Sequence, residues 1–281
     1  MEKNKVEMEN VLVQLETAQT ELDPQFRALR GVMGALRTAV RLASEEQADA
    51  LPMQKALVKL ETAAAEVESD VLDTAVSAFA AVTQTALDNL AFEFAKDLRD
   101  VFAQRGESVD GRPPILTVGM LTFKIEMAAR KGQWFYGKEA LTKPIPLSLT
   151  GILKAYDRQV KRVVNHTLDA DFSDKLRIAW QKCMDKRKQR PPGGRINLVE
   201  VYSQFTLDKQ AARFWKQPSR RTFKDYEREL FVRDLVLAHE QGDIPFRLGV
   251  ATKSQAEQAS RSLWIPKTAV DGAYYSDITF D

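Results

Sequence analysis

The chain has one cysteine, Cys183, and two histidines, His166 and His239, in 281 residues. A lone thiol closes no internal disulfide, which excludes a disulfide framework and fits a reducing compartment. The two histidines lie far apart in sequence and in no recognisable motif, so histidine catalysis and His/Cys metal ligation have little material; no metal site and no cofactor is expected. Long apolar runs are also missing. No window approaches about 18 uncharged apolar residues, and no apolar stretch of signal-peptide length follows Met1-Glu2-Lys3-Asn4-Lys5, so the expectation is a soluble, cytoplasmic protein without membrane contact. With 13 Gly and 11 Pro the chain carries no collagen-like repeat, and 44% apolar with 28% charged residues excludes wholesale disorder.

What is present is a charge asymmetry hidden under a formal net charge of +2. Residues 1–110 hold 11 basic and 20 acidic side chains, a net −9, and residues 111–281 hold 30 and 19, a net +11. Within the second half, residues 171–224 carry 14 basic and 5 acidic side chains. A local basic field concentrates polyanions whatever the total charge.

The acidic half reads as helix. Leu15, Ala18, Leu22, Phe26, Leu29, Met33, Leu36 and Val40 follow one another at steps of three and four, close to a heptad repeat. Asp23-Pro24 fits either an N-cap followed by proline at the first helical position or one long helix kinked at Pro24. Residues 44–52 read as a connection. Periodicity resumes at Leu57 and runs through Leu60, Ala64, Val67, Val71, Phe79 and Leu98, predicting one helix over about 53–105, roughly 80 Å long. Two such stretches fold back as an antiparallel hairpin. It is either a bundle core or a coiled coil that docks a protein partner or a second copy.

Ile115, Leu121, Phe123, Ile125 and Met127 share one parity, which predicts a half-buried strand, returned by Gln133–Tyr136 as a hairpin. Gly132-Gln-Trp-Phe-Tyr-Gly137-Lys138 has the spacing of a phosphate-binding loop, but Glu139 stands where Ser or Thr is needed and the aromatic spacer reads as strand. Ser148 caps a predicted helix reaching toward His166, and a second runs from Ser173 to about Gln189 with Leu176, Trp180 and Met184 inward. Pro191-Pro-Gly-Gly194 is a linker or a tight turn. Further helices are expected over about 208–215 and from Thr222 to Gln241. The second of these puts Phe223, Tyr226, Leu230, Phe231, Leu235 and Leu237 toward a core, Asp225 and Glu229 on one face, and Glu229 paired with Arg233. Strands over 245–251, 262–265 and 274–280, with a helix over 254–260, close the chain. The fold class is α+β, predominantly α: an acidic helical hairpin over 1–110, a β-hairpin plus helices over 111–190, and a basic α+β domain with a small antiparallel sheet over 191–281. A winged-helix-like order is one topology this permits.

Lys186, Arg187, Lys188 and Arg190, then Arg213, Lys216, Arg220, Arg221 and Lys224, supply phosphate contacts for DNA or RNA, with Trp215 as a base-stacking side chain. The bland alternative is a solvated basic face with Trp215 in the core; an acidic partner, or the chain's own acidic helices, is a further fit. Cys183 lies beside basic residues, which lower a thiol's pKa when it is exposed, but it also lies on an apolar seam, where an inert buried thiol is expected. The reading favoured is a non-enzymatic accessory subunit of a multi-protein complex: helices for a protein partner or self-association, a basic region for nucleic acid. Its rivals are an adaptor with protein partners only, as in a bacterial defence complex, and a metal-dependent nuclease, which needs carboxylates clustered in one cleft.

Overall fold

The computed structural model describes residues 2–45, 49–242 and 245–280, with side chains from Asn10 onward. The chain divides into two compact units, Met1–Phe94 and Ala95–Asp281. It is α+β and mainly α, about 56% helical, with long N-terminal helices ahead of antiparallel strands.

The first unit is built from α1 (Glu2–Ala43), α2 (Ala50–Ala64) and the first part of α3 (Asp70–Ala103). Pro24 sits inside α1, so the continuous-helix reading of Asp23-Pro24 holds. The core gathers Val32, Ala39 and Leu42 of α1, Met53, Ala56, Leu57, Leu60 and Ala64 of α2, and Leu72 and Phe79 of α3. Asp49 caps α2, accepting the Leu51 N–H at 3.1 Å. Pro52 therefore lies in the first helical turn, where a missing N–H costs nothing. Residues 46–48 of the expected connection lie outside the described residues.

The single helix expected over 53–105 is two helices. α2 ends at Ala64, and Ser69 starts α3: its carbonyl accepts the Asp73 N–H at 3.0 Å and its hydroxyl accepts the Leu72 N–H at 3.4 Å. Asp70 and Asp73 add negative charge to the first turn, next to the positive end of the helix. Capping chemistry overrides a hydrophobic period that runs on through the break.

In the second unit the end of α3 contributes Ala95, Leu98 and Phe102, all fully buried. Phe102 meets Trp134 at 6.4 Å and Tyr156 at 5.0 Å between ring centroids. Six short strands form an antiparallel sheet: β1 (Asp110–Arg112), β2 (Ile115–Val118), β3 (Leu121–Glu126), β4 (Lys131–Tyr136), β5 (Glu139–Ala140) and β6 (Ile145–Pro146). The strand expected over 115–127 is thus itself a hairpin. Val118 pairs with Leu121 across Gly119-Met120, and Gly119 takes the left-handed φ of 56° that the turn needs. Directly opposed residues share a face, so Leu116 and Val118 turn inward with Leu121, Phe123 and Ile125, and Ile115 stays 44% exposed. The phosphate-loop spacing is strand and turn. A Cβ on Gly132 would lie 2.1 Å from the Phe123 ring, so this glycine serves close packing, and Glu139 pairs with Arg228 at 2.9 Å.

Ser148 caps α4 (Leu149–Gln159), which ends in a π-helical turn over Val160–Val164. α5 (Phe172–Asp185) buries Leu176, Trp180, Cys183 and Met184 as expected, but stops at Asp185, so the basic residues after it lie beyond the helix. Pro192–Gly194 is a tight turn whose Gly194 carbonyl accepts the Trp180 indole N–H at 3.0 Å. β7 (Ile196–Asn197), α6 (Leu198–Asp208), α7 (Ala212–Lys216), α8 (Arg228–Gln241), β8 (Phe246–Val250), α9 (Lys253–Ala256), β9 (Leu263–Pro266) and β10 (Gly272–Phe280) complete the unit. The closing sheet has β7 as a fourth strand: β10 pairs with β8, β9 and β7, antiparallel throughout. α8 begins at Arg228, six residues after Thr222, whose hydroxyl is engaged instead in a turn with Ser219 and the Gln217 carbonyl. Gly242 closes α8 in the left-handed conformation, φ 84°. No helix among the described residues is long and apolar enough to cross a membrane.

Candidate nucleic-acid interface

The segment between α6 and α8 carries the densest basic group, and buried polar side chains hold it in place. Gln210, at the end of α6, accepts the Lys224 N–H at 2.8 Å and donates to the Lys224 carbonyl at 2.7 Å. Tyr202 donates to the Tyr226 carbonyl at 2.5 Å. The Tyr226 hydroxyl in turn donates to Asp234 on α8. The segment is irregular because Gln217, Pro218 and Ser219 break α7, and these side chains replace the helical ladder that is lost.

On this frame Arg213 and Lys216 project from α7, and Arg220, Arg221 and Lys224 from the following turn; all five are exposed. None is ion-paired to a described residue. Trp215 is 59% exposed, which removes the core placement. Its ring meets Phe214 edge-on at 5.3 Å, and Phe214 meets Phe223 at 5.6 Å. Phe223, expected in the core, is 39% exposed, because it precedes α8 instead of lying on it. Three aromatic rings thus form a partly exposed group among five uncommitted cations.

The second set differs. Lys186 donates to Gln204 at 2.6 Å and Arg187 pairs with Glu200, both partners on α6. Lys188 and Arg190 are exposed and unpaired among the described residues. In this set Lys186 and Arg187 are therefore tied to α6, and one of the four charges, that of Arg187, is already neutralised by an acid.

No known family, curated protein or solved structure matches the chain.

Enzymatic groupings are thin. Among the described residues no three His, Cys, Asp or Glu side chains sit where they would share a metal ion. Asp225 lies ahead of α8, so the expected Asp225–Glu229 helix face does not form. Glu229 pairs with Arg162 at 2.7 Å, and Arg233 reaches Glu240 at 3.8 Å instead of Glu229. Cys183 is 1% exposed, and burial pushes its thiol up to about 11, with the Glu200 charge adding to the shift. That is an inert thiol.

One cluster gave no sequence signal. Asp234 is 2% exposed; one oxygen accepts from Tyr226 and the other lies 2.8 Å from His166 Nε2. Burial raises the Asp234 carboxyl above its usual range, and hydrogen bonds from Tyr226 and His166 pull it back. Nearby, Lys209 Nζ stands 3.8 Å from the centre of the Tyr226 ring, and burial lowers its pKa. Lys209 and Tyr226 line a cleft of about 500 Å³ with Lys224, Asp225, Glu227 and Leu230. His239, by contrast, is exposed at the end of α8.

Proposed function

We propose that this chain is a non-enzymatic accessory protein whose second unit binds nucleic acid through the α7–α8 segment. The observation that carries the reading is the exposed Trp215 with its two aromatic neighbours, set among Arg213, Lys216, Arg220, Arg221 and Lys224. Unpaired cations release counterions from a phosphate backbone, and an exposed ring stacks a base without a sequence requirement. Single strands suit it best, because their bases are free to stack. Lys188 and Arg190 extend the contact, whereas Lys186 and Arg187 contribute less because they already have partners.

The test is fluorescence anisotropy with single- and double-stranded DNA and RNA at about 50 and 200 mM salt. Binding that tightens at low salt and favours single strands is expected. Trp215→Ala is expected to weaken it by about 1–3 kcal/mol. Arg220→Glu with Arg221→Glu is expected to weaken it further and to flatten the log–log salt slope by roughly 1.5. No binding at low salt, or a double variant with wild-type affinity, rejects the assignment.

A further inference from the structure

Among the described side chains of the first half of α1, from Asn10 to Gly31, none is buried, and the core of the first unit begins at Val32. From Leu15 onward, every exposed large apolar side chain of α1 belongs to one set: Leu15, Leu22, Phe26, Leu29, Met33 and Val40, each at least half exposed. At about 100° per residue these six fall within roughly 60° of arc, on a different face from the buried Val32, Ala39 and Leu42. An apolar stripe this narrow is the seam of a two-helix coiled coil and is too narrow for a globular core face.

We propose that this stripe pairs antiparallel with α1 of a second copy of the chain. Two features select that occupant and that direction. From Leu15 to Val40 the stripe is its own mirror, since 15 and 40, 22 and 33, and 26 and 29 each sum to 55, while Val11, one turn earlier on the same face, falls opposite Ser44 beyond the end of the seam. A two-fold axis midway between Phe26 and Leu29 therefore sets Leu15 against Val40, Leu22 against Met33 and Phe26 against Leu29, an isologous contact. The charges follow the same symmetry. Residues 10–23 carry Glu16, Glu21 and Asp23 and no base, while residues 24–43 carry Arg27, Arg30, Arg37 and Arg41 and no acid. Antiparallel pairing lays the acidic half of each helix along the basic half of the other, and parallel pairing sets like against like. Arg27 and Arg41 already have partners within their own chain, but Arg30 and Arg37 have none among the described residues and meet the acids of the second copy.

The far end of the seam has a receptor. Beside Val40 lies an apolar cleft of about 570 Å³, walled by Leu36, Phe79 and Val82 among others. The two-fold brings Leu15 of the second copy to this cleft, so the dimer covers apolar surface on α1 and α3 together. The inference is independent of the nucleic-acid reading, because it uses no residue of the second unit.

Sedimentation velocity of the full chain from about 1 to 100 μM tests it. A concentration-dependent dimer is expected, and a monomer across that range overturns the proposal. Phe26→Glu with Leu29→Glu changes only exposed positions. It is expected to weaken the dimer by at least about 100-fold while monomer helicity stays unchanged; a dimer as tight as wild type overturns it. Direction is read by oxidation of introduced thiols, since Cys183 is buried. Leu15→Cys and Val40→Cys chains, each alone, are expected not to cross-link, and a mixture of the two is expected to give the mixed disulfide. Cross-linking of Leu15→Cys to itself means a parallel pair and overturns the proposal.

Discussion

At the scale of single residues, Asp234 is a buried carboxyl with a partner on each oxygen. Its two oxygens face the Tyr226 hydroxyl and His166, and Lys209 stands over the Tyr226 ring. Removing the acceptor strands a buried hydroxyl, so Asp234→Ala is expected to cost about 1–3 kcal/mol of stability, read by urea unfolding. Asp234→Asn keeps an acceptor for Tyr226 and removes the buried charge, so it is expected to cost much less. The comparison depends on pH. The folded carboxyl holds its proton above the ordinary value of 3.8, so its protonation contributes stability that is present below that value and lost as pH rises through the folded pKa. Wild type is therefore expected to lose ground to the Asn variant as pH climbs from about 4 toward neutrality; a difference flat in pH rejects the buried-charge account. Residues whose role is local were legible. Ser148 as a cap, Gly242 as a C-terminal stop and Cys183 as a buried thiol each follow from their neighbours in sequence. Asp234 was not legible, because its partners lie 8 and 68 residues away and only the fold brings them together.

At the scale of elements, Asn197 joins three of them. Its side-chain oxygen accepts the Val199 and Glu200 N–H groups at the start of α6, and its amide donates to the Arg261 and Ser276 carbonyls. Asn197→Ala removes a helix cap, a tie to β10 and a tie to the turn before β9 at once. It is expected to cost about 2 kcal/mol or more, above the usual range centre for a cap alone, with the melting temperature as the readout. Periodicity gave the existence and type of most elements. It erred at three local breaks: Ser69 splits one helix into two, the left-handed Gly119 folds one strand into a hairpin, and Thr222 serves a turn six residues before α8 begins. At Ser69 and Thr222 the hydrophobic spacing continues through the break and carries no sign of it, whereas at Gly119 the inward set changes parity, from Leu116 and Val118 to Leu121, Phe123 and Ile125.

At the scale of the molecule, the second unit starts within α3, at Ala95, ahead of the composition shift near residue 110. Ala95, Leu98 and Phe102 have no exposed surface, and Phe102 packs on Trp134 and Tyr156. A fragment of residues 95–281 is expected to unfold cooperatively, while one of residues 111–281 lacks these side chains and is expected to lose about 3–5 kcal/mol or more, the cost of an emptied aromatic site. Circular dichroism melts of the two fragments decide it; equal stability would mean that the end of α3 is dispensable to this core.

The sequence by itself determined the class of the fold, the helical character of the acidic half, the alternating strands and the contrast in charge, because these depend on composition and on spacing within one element. It also contained the apolar stripe on α1, although only the tertiary structure separates that stripe from the face that packs into the core. Tertiary structure alone decided that Trp215 and Phe223 stand at the surface, that Lys186 and Arg187 are partnered while Arg220 and Arg221 are not, and that Asp234 meets His166. Exposure and pairing belong to residues distant in the chain, and the packing that sets them has no period to read.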